Sequence, residues 1–132
     1  MATIFTKIIN GEIPCYKIAE DENYFAFLDI NPLKVGHTLV VPKKETDYIF
    51  DLNDDQLSGI MIFSGKVAAA IRRVFPCNRI GVVILGLEIP HAHIHLVPMD
   101  TMEDVNFKNP KLKFSSEEFK EIAAKISRNV IL

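Results

Sequence analysis

Three of the four histidines in this 132-residue chain fall within five positions, in the run His91-Ala92-His93-Ile94-His95-Leu96-Val97. Strict alternation of imidazole and apolar side chains is the pattern of a β-strand, whose successive residues point to opposite faces. It predicts three rings on one face, spaced roughly 6.5–7 Å apart, with Ala92, Ile94 and Leu96 turned toward a core. Near neutral pH an imidazole can serve as nucleophile, acid, base, hydrogen-bond donor or metal ligand. Three readings are open. The plainest is a polar face that happens to be rich in imidazole, but chance rarely places three of four histidines at alternate positions. A His-x-His pair can also bind zinc with a third ligand from elsewhere, and His37 could supply it. No cysteine or obvious carboxylate accompanies either motif, however. The pattern favours the third reading, nucleophilic catalysis. A neutral imidazole attacks phosphorus or an acyl carbon, and its neighbours stabilise charge and handle leaving-group protons.

Ordinary elements must hold those rings. Thr3 to Ile9 predicts a short helix closed by Asn10-Gly11. Tyr16–Glu20 and Tyr24–Asp29 read as strands around an Asp21-Glu22-Asn23 turn, and His37–Pro42 as a third strand after a loop over 31–36. Asn53 with Gln56 makes a capping-box start. Leu57, Ile60, Met61, Ser64, Val67, Ala68, Ile71 and Val74 then recur at helical spacing until Pro76 stops the helix. Arg79–Leu85 and His91–Val97 are the last two strands. A polar, irregular segment from Met99 to Phe114 is expected to lie over the site. Ser115 with Glu118 caps a second long helix to about Asn129, with Phe119, Ile122, Ala123 and Ile126 inward. The order predicts an α+β fold with a mainly antiparallel sheet, as one domain over residues 1–132.

Hydrophobic residues at 48% and charged residues at 24% give the profile of a globular chain able to bury a core. A net charge of −2 argues against a surface that coats nucleic acid, so any phosphate would bind in a local pocket. No apolar run approaches the ~18 residues of a membrane span, and no secretory leader is legible. Cys15 and Cys77 lie far apart without a CxxC motif and read as thiols in a cytoplasmic protein.

With these motifs in view, the sequence resembles the histidine triad (HIT) family. His91–Val97 matches the family's His-φ-His-φ-His-φ-φ signature, φ being apolar. Ile4-Phe5-Thr6-Lys7-Ile8-Ile9-Asn10-Gly11-Glu12-Ile13-Pro14 is similar to its opening segment. Phe27-Leu28-Asp29-Ile30-Asn31-Pro32 resembles its nucleoside-binding strand and turn, and Gly36-His37-Thr38-Leu39-Val40-Val41-Pro42-Lys43 its Gly-His-x-Leu-Val-φ-Pro-Lys strand. The resemblance implies a five-stranded antiparallel sheet with two main helices, paired as a homodimer through the long helix from about Asp54 to Phe75. It implies a nucleotide hydrolase or nucleotidyl transferase acting at the α-phosphorus, with no cofactor. Purine nucleotide conjugates are the implied partners, namely adenosine 5′-phosphoramidates or dinucleoside polyphosphates. His93 would be the nucleophile and form a covalent nucleotidyl-histidine. His95 and His37 would contact the phosphate, and His91 would support the nucleophile and the leaving-group side. Asp29 would bind the ribose hydroxyls, and Phe5, Ile8, Phe27, Leu28 and Ile30 would line the base pocket. The alternatives are a nucleotide sensor with little turnover and a metal-dependent hydrolase on His37, His93 and His95.

Two departures from the family pattern matter. In Ile84-Leu85-Gly86-Leu87-Glu88-Ile89-Pro90 the glycine is kept at Gly86, but Leu87 and Glu88 replace a Gln and a hydroxyl residue. Neutral donors toward phosphate are thereby lost, and Glu88 is expected to reshape leaving-group specificity by burial and protonation, by pairing with a cation, by turning away, or by acting on the leaving-group proton. Many bacterial members also open with Cys-x-x-Cys, which helps bind a structural zinc. Thr3 and Thr6 stand at those positions and are poor zinc ligands, so no structural zinc is expected.

Overall fold

Thr3 caps the short helix α1 (Ile4–Ile9) by accepting the Thr6 amide on its side chain. The computed structural model describes residues 2–132. Strands β1 (Lys17–Glu20) and β2 (Tyr24–Leu28) form the expected hairpin, and β3 (Thr38–Pro42) adds to β2 in antiparallel register. Asn53 and Gln56 close the full capping box of α2 (Asp54–Val74). Two strands, β4 (Arg79–Val83) and β5 (Ile94–Met99), complete a five-stranded antiparallel sheet in the order β1-β2-β3-β5-β4. Ser115 and Glu118 cap α3 (Ser116–Arg128) in the same reciprocal way.

The period of two along the strands sorts the sheet into two faces. Tyr24, Ala26, Leu28, Val40, Ala92, Ile94 and Leu96 meet Ile60, Phe63, Val67 and Ile71 of α2 and Phe119, Ala123 and Ile126 of α3. Phe25, Phe27, Leu39 and Val41 point the other way and gather around Phe5 of α1. Register carries that second face across the sheet, Phe27 opposite Leu39 and Leu39 opposite His95. One side of the sheet is thus a helix-packed core and the other carries the histidines.

Three expectations change. The histidine strand starts at Ile94, later than the alternation predicted, and runs to Met99. Within the histidine strand, β3 pairs only with Ile94, His95 and Leu96. The preceding residues are held by loop bonds instead, the His91 amide to the Ile89 carbonyl at 2.8 Å and the Ala92 amide to that of Thr46 at 2.7 Å. Likewise β4 stops at Val83, so Leu85 lies beyond the sheet. On α2, Met61 is exposed, whereas Phe63 and Ala70 join the buried stripe. Helical geometry explains this: the stripe through Ile60, Ser64, Val67 and Ile71 leaves Met61 on its flank.

Gly36 turns the chain into β3 with φ +90°, and the Cβ of any other residue there would press on Phe75 and Ile71. Only glycine tolerates both the left-handed backbone and that approach.

Candidate active site

All three histidines of the run are buried, which removes the reading of an exposed polar face. Their hydrogen bonds to main-chain groups of fixed polarity set the tautomers, because a carbonyl only accepts and an amide only donates. His93 Nδ1 lies 2.9 Å from the carbonyl oxygen of His91 and must carry the proton. In the neutral ring the lone pair is then on Nε2. That nitrogen has no partner among the described residues and is not sealed from the cleft, since Ser64 Oγ is the one described buried side-chain polar atom without a partner.

A second chain of bonds starts in the 31–36 loop. The Leu33 amide donates to His37 Nδ1 at 3.0 Å, so the proton of neutral His37 sits on Nε2. That Nε2 donates to His95 Nδ1 at 2.9 Å, which leaves His95 Nε2–H free to donate into the cleft. Burial pushes His37 down to about 3, helped by the neighbouring His95 and by Lys111. His95 falls to about 4, mainly by burial and secondarily through His93. Both rings are neutral at physiological pH. His37 Nε2 also stands 3.5 Å from Asp29 Oδ2; with a neutral ring this is a dipole facing a carboxylate, not an ion pair.

Asp29 divides its two oxygens. Oδ1 accepts the Asn31 amide at 2.8 Å, the ordinary work of a turn aspartate. Oδ2 faces His37. Burial raises its pKa, opposed by the Asn31 amide, His93 and Lys111.

A cleft of about 700 Å3 opens over these groups, within the few hundred to ~1,000 Å3 typical of small-ligand sites. Phe5, Ile8, Phe27, Leu28, Asp29, Ile30, Gly86, Glu88, His93 and His95 all border it. Of the apolar group, Phe5 and Phe27 are packed beneath it, Ile8 is half-buried and Ile30 is exposed at the rim. Leu28 belongs to the helix-side core and reaches the cleft at the end of its strand. Gly86, at φ +69°, turns the rim, and Glu88 close after it is exposed rather than buried.

His37 and His91 stand behind the cleft wall rather than in it. His91, expected to support the nucleophile and the leaving-group side, meets the nucleophile through its carbonyl, while its ring stays out of the cleft. Its Nε2 donates to the Pro42 carbonyl at 2.8 Å and its Nδ1 meets Thr3 Oγ1 at 2.8 Å, so neither nitrogen is free. Burial lowers its pKa, and His93 adds to that effect against the Pro42 carbonyl and Glu45.

Sequence reasoning missed Leu39, Phe107 and Lys111 as cleft residues. Leu39 shares strand parity with His37 and was legible. Phe107 sets its ring edge-on to His95, centroids 4.8 Å apart, and Lys111 anchors on the Asn109 carbonyl. Both come from the irregular segment, and only the folding of that segment over the site brings them in.

Neither metal reading fits the donors. One ligand atom each from Asp29, His37 and His95 lie within 4.8 Å of one another, whereas the sequence suggested His37, His93 and His95. A ligating histidine donates its outer N–H and offers its inner lone pair. His37 does the reverse, accepting from Leu33 and presenting Nε2–H inward. At the other candidate position, Thr3 and Thr6 offer neutral hydroxyls already engaged with His91 and Glu45.

The HIT-domain family model matches residues 10–102. The chain is 38% identical to a HIT-like protein of Borreliella burgdorferi, over 96% of this chain and 97% of that one. It is 34% identical to adenosine 5′-monophosphoramidase hnt1 of Schizosaccharomyces pombe, over 98% and 99% of the two chains. Among solved structures, a Zn-bound histidine triad family protein from Mycobacterium smegmatis superposes with a TM-score of 0.81 at 27% identity, covering 97% of this chain and 95% of that one. Sequence, fold and comparison agree that this chain belongs to the histidine triad family.

Proposed function

We propose that this protein is a nucleotide hydrolase or nucleotidyl transferase that uses His93 Nε2 to attack the α-phosphorus of a nucleoside monophosphate conjugate. A P–N bond forms to His93 as the bond from phosphorus to the leaving amine or phosphate breaks. Water, or an acceptor phosphate, then attacks the same phosphorus and releases the imidazole. The observation that carries this reading is the 2.9 Å bond from His93 Nδ1 to the His91 carbonyl, which fixes the lone pair on the nitrogen open to the cleft. In this reading His95 Nε2–H bonds a non-bridging phosphate oxygen, and His37 acts through it by fixing its tautomer, which the His37–His95 bond supports. Asp29 Oδ2 suits the ribose hydroxyls, and the apolar floor around Phe5 and Phe27 suits a purine. Relatives in two yeasts named adenosine 5′-monophosphoramidase favour phosphoramidate substrates over dinucleoside polyphosphates. The working unit is one domain over residues 1–132, paired as a homodimer in the cytoplasm.

The test is acid quench of the protein mixed with adenosine 5′-phosphoramidate, followed by intact mass. A transient gain of one adenylyl group, lost in His93→Ala together with all turnover and indifferent to chelator, is expected. Tight AMP binding without adduct or turnover would instead establish the second reading, a nucleotide sensor. Glu88 favours that reading, because it puts an exposed carboxylate on the rim where the phosphates and leaving group must pass.

A further inference from the structure

His91 borders no part of the cleft, yet it is completely buried with both ring nitrogens engaged. Its bonds lead outward. Nε2 donates to the Pro42 carbonyl, so Nδ1 must accept, and the proton it accepts comes from Thr3 Oγ1 at 2.8 Å. Thr3 Oγ1 also receives the Thr6 amide at 3.1 Å. The Thr6 hydroxyl, 3.3 Å from that of Thr3, gives its own proton to Glu45 Oε1 at 2.7 Å. The Thr3 amide donates to the same oxygen at 2.8 Å. Each donor has one acceptor, and the arrangement is complete with His91 neutral and no metal.

We propose that Thr3, Thr6 and Glu45 form a metal-free brace that positions the His93 nucleophile by clamping His91. The inference rests on the nucleotidyl-transfer reading above for its kinetic consequence, but not for its geometry. His91 is the link because its own carbonyl oxygen receives His93 Nδ1–H. A displacement of His91 therefore tilts the attacking ring, and nucleophilic attack tolerates little misplacement. The brace ties together chain segments 42 and 88 residues apart, Thr3 to Glu45 and Thr3 to His91. It also holds α1, whose six residues are too few for a helix stable on its own. That helix delivers Phe5, which lies edge-on to both rings, 5.6 Å from His91 and 5.0 Å from His93. The Thr3 hydroxyl thus caps α1 and fixes the His91 ring at once.

The experiment pairs disruptive with conservative variants. Thr3→Val and Glu45→Ala remove the links, while Thr3→Ser and Glu45→Gln keep a hydroxyl and an accepting oxygen. Turnover of adenosine 5′-phosphoramidate gives kcat and KM, and 15N shifts of the ring nitrogens give the histidine tautomers. Loss of the brace is expected to lower kcat by about ten- to a hundredfold with KM changed less than about twofold. The Nδ1–H tautomer of His93 should give way to a mixture, and the conservative variants should recover both readouts. Wild-type kcat and an unchanged His93 tautomer in folded Glu45→Ala would overturn the proposal. Glu45 is exposed, so that variant keeps the question open to test even if Thr3→Val fails to fold. Absence of turnover in the wild type would sink the transfer reading alone, and the tautomers would still decide the brace.

Discussion

The carbonyl of His91 can only accept a proton, so at 2.9 Å from His93 Nδ1 it decides which nitrogen of the nucleophile is free. The Leu33 amide makes the opposite choice at His37, and His95 inherits its tautomer from that choice. Three side chains of one residue type thereby acquire different abilities: a lone pair on His93, an N–H donor on His95 and a closed ring on His91. Glu88 is the residue at odds with phosphate chemistry. An exposed carboxylate repels an anionic leaving group by on the order of 1 kcal/mol, or about fivefold in rate. Glu88→Gln is expected to raise kcat/KM for a dinucleoside polyphosphate by about that factor while changing phosphoramidate turnover less. Equal rates for every substrate in a side-by-side assay would leave Glu88 without a role in specificity. The types and spacing of the histidines were plain in the sequence. Their protonation was not, because it depends on backbone groups such as Leu33 N–H and Pro42 C=O that touch them only after folding.

Between elements, the bond from His37 to His95 joins the start of β3 to β5 beside their short pairing over Thr38–Val40. Both rings are neutral in the folded protein, with pKa values of about 3 and about 4 against 6.5 for a free histidine. The unfolded chain therefore binds more protons than the native one below pH 6.5, and stability rises with pH across that interval. The contribution is complete above the unfolded pKa and is lost as pH falls through 6.5 toward 4 and 3. Urea unfolding between pH 7 and 5 should show uptake of about two protons by these rings as pH approaches 5. A midpoint independent of pH over that range would contradict the burial of neutral imidazoles. Periodicity and caps located the elements well: Asn53 with Gln56 and Ser115 with Glu118 open α2 and α3 as expected. The histidine strand was displaced because alternation continues into a segment held by loop bonds, with no strand partner among the described residues. Sequence period reports which way side chains point; pairing needs a neighbour at the right distance.

Across the whole molecule, several apolar side chains stay exposed, some of them on α2 and on the edge strand β4. Ile62 is 61% exposed, Met61 49% and Val82 47%, on α2 and on β4, the last strand of the sheet, whose outer side has no strand neighbour among the described residues. A free sheet edge and exposed aliphatic side chains on α2 each suit a second copy of the chain. The proposed homodimer is therefore expected in sedimentation at micromolar concentration, and Ile62→Glu should shift it toward monomer without loss of helix signal. A monomeric wild type would remove that part of the reading. No described helix is long and apolar enough to cross a membrane. By itself the sequence determined the α+β class, the starts of the two long helices, the core-facing Ala92, Ile94 and Leu96, and the family, since these follow from local propensity, period and motif order. Only tertiary structure decided that His91 stands behind the site, that Phe107 and Lys111 enter it, and that Thr3, Thr6 and Glu45 reach the histidines. The longest of those contacts, Thr3 to Glu45 and Thr3 to His91, span 42 and 88 positions, and a linear pattern carries no information about which distant side chains a fold will bring within hydrogen-bonding distance.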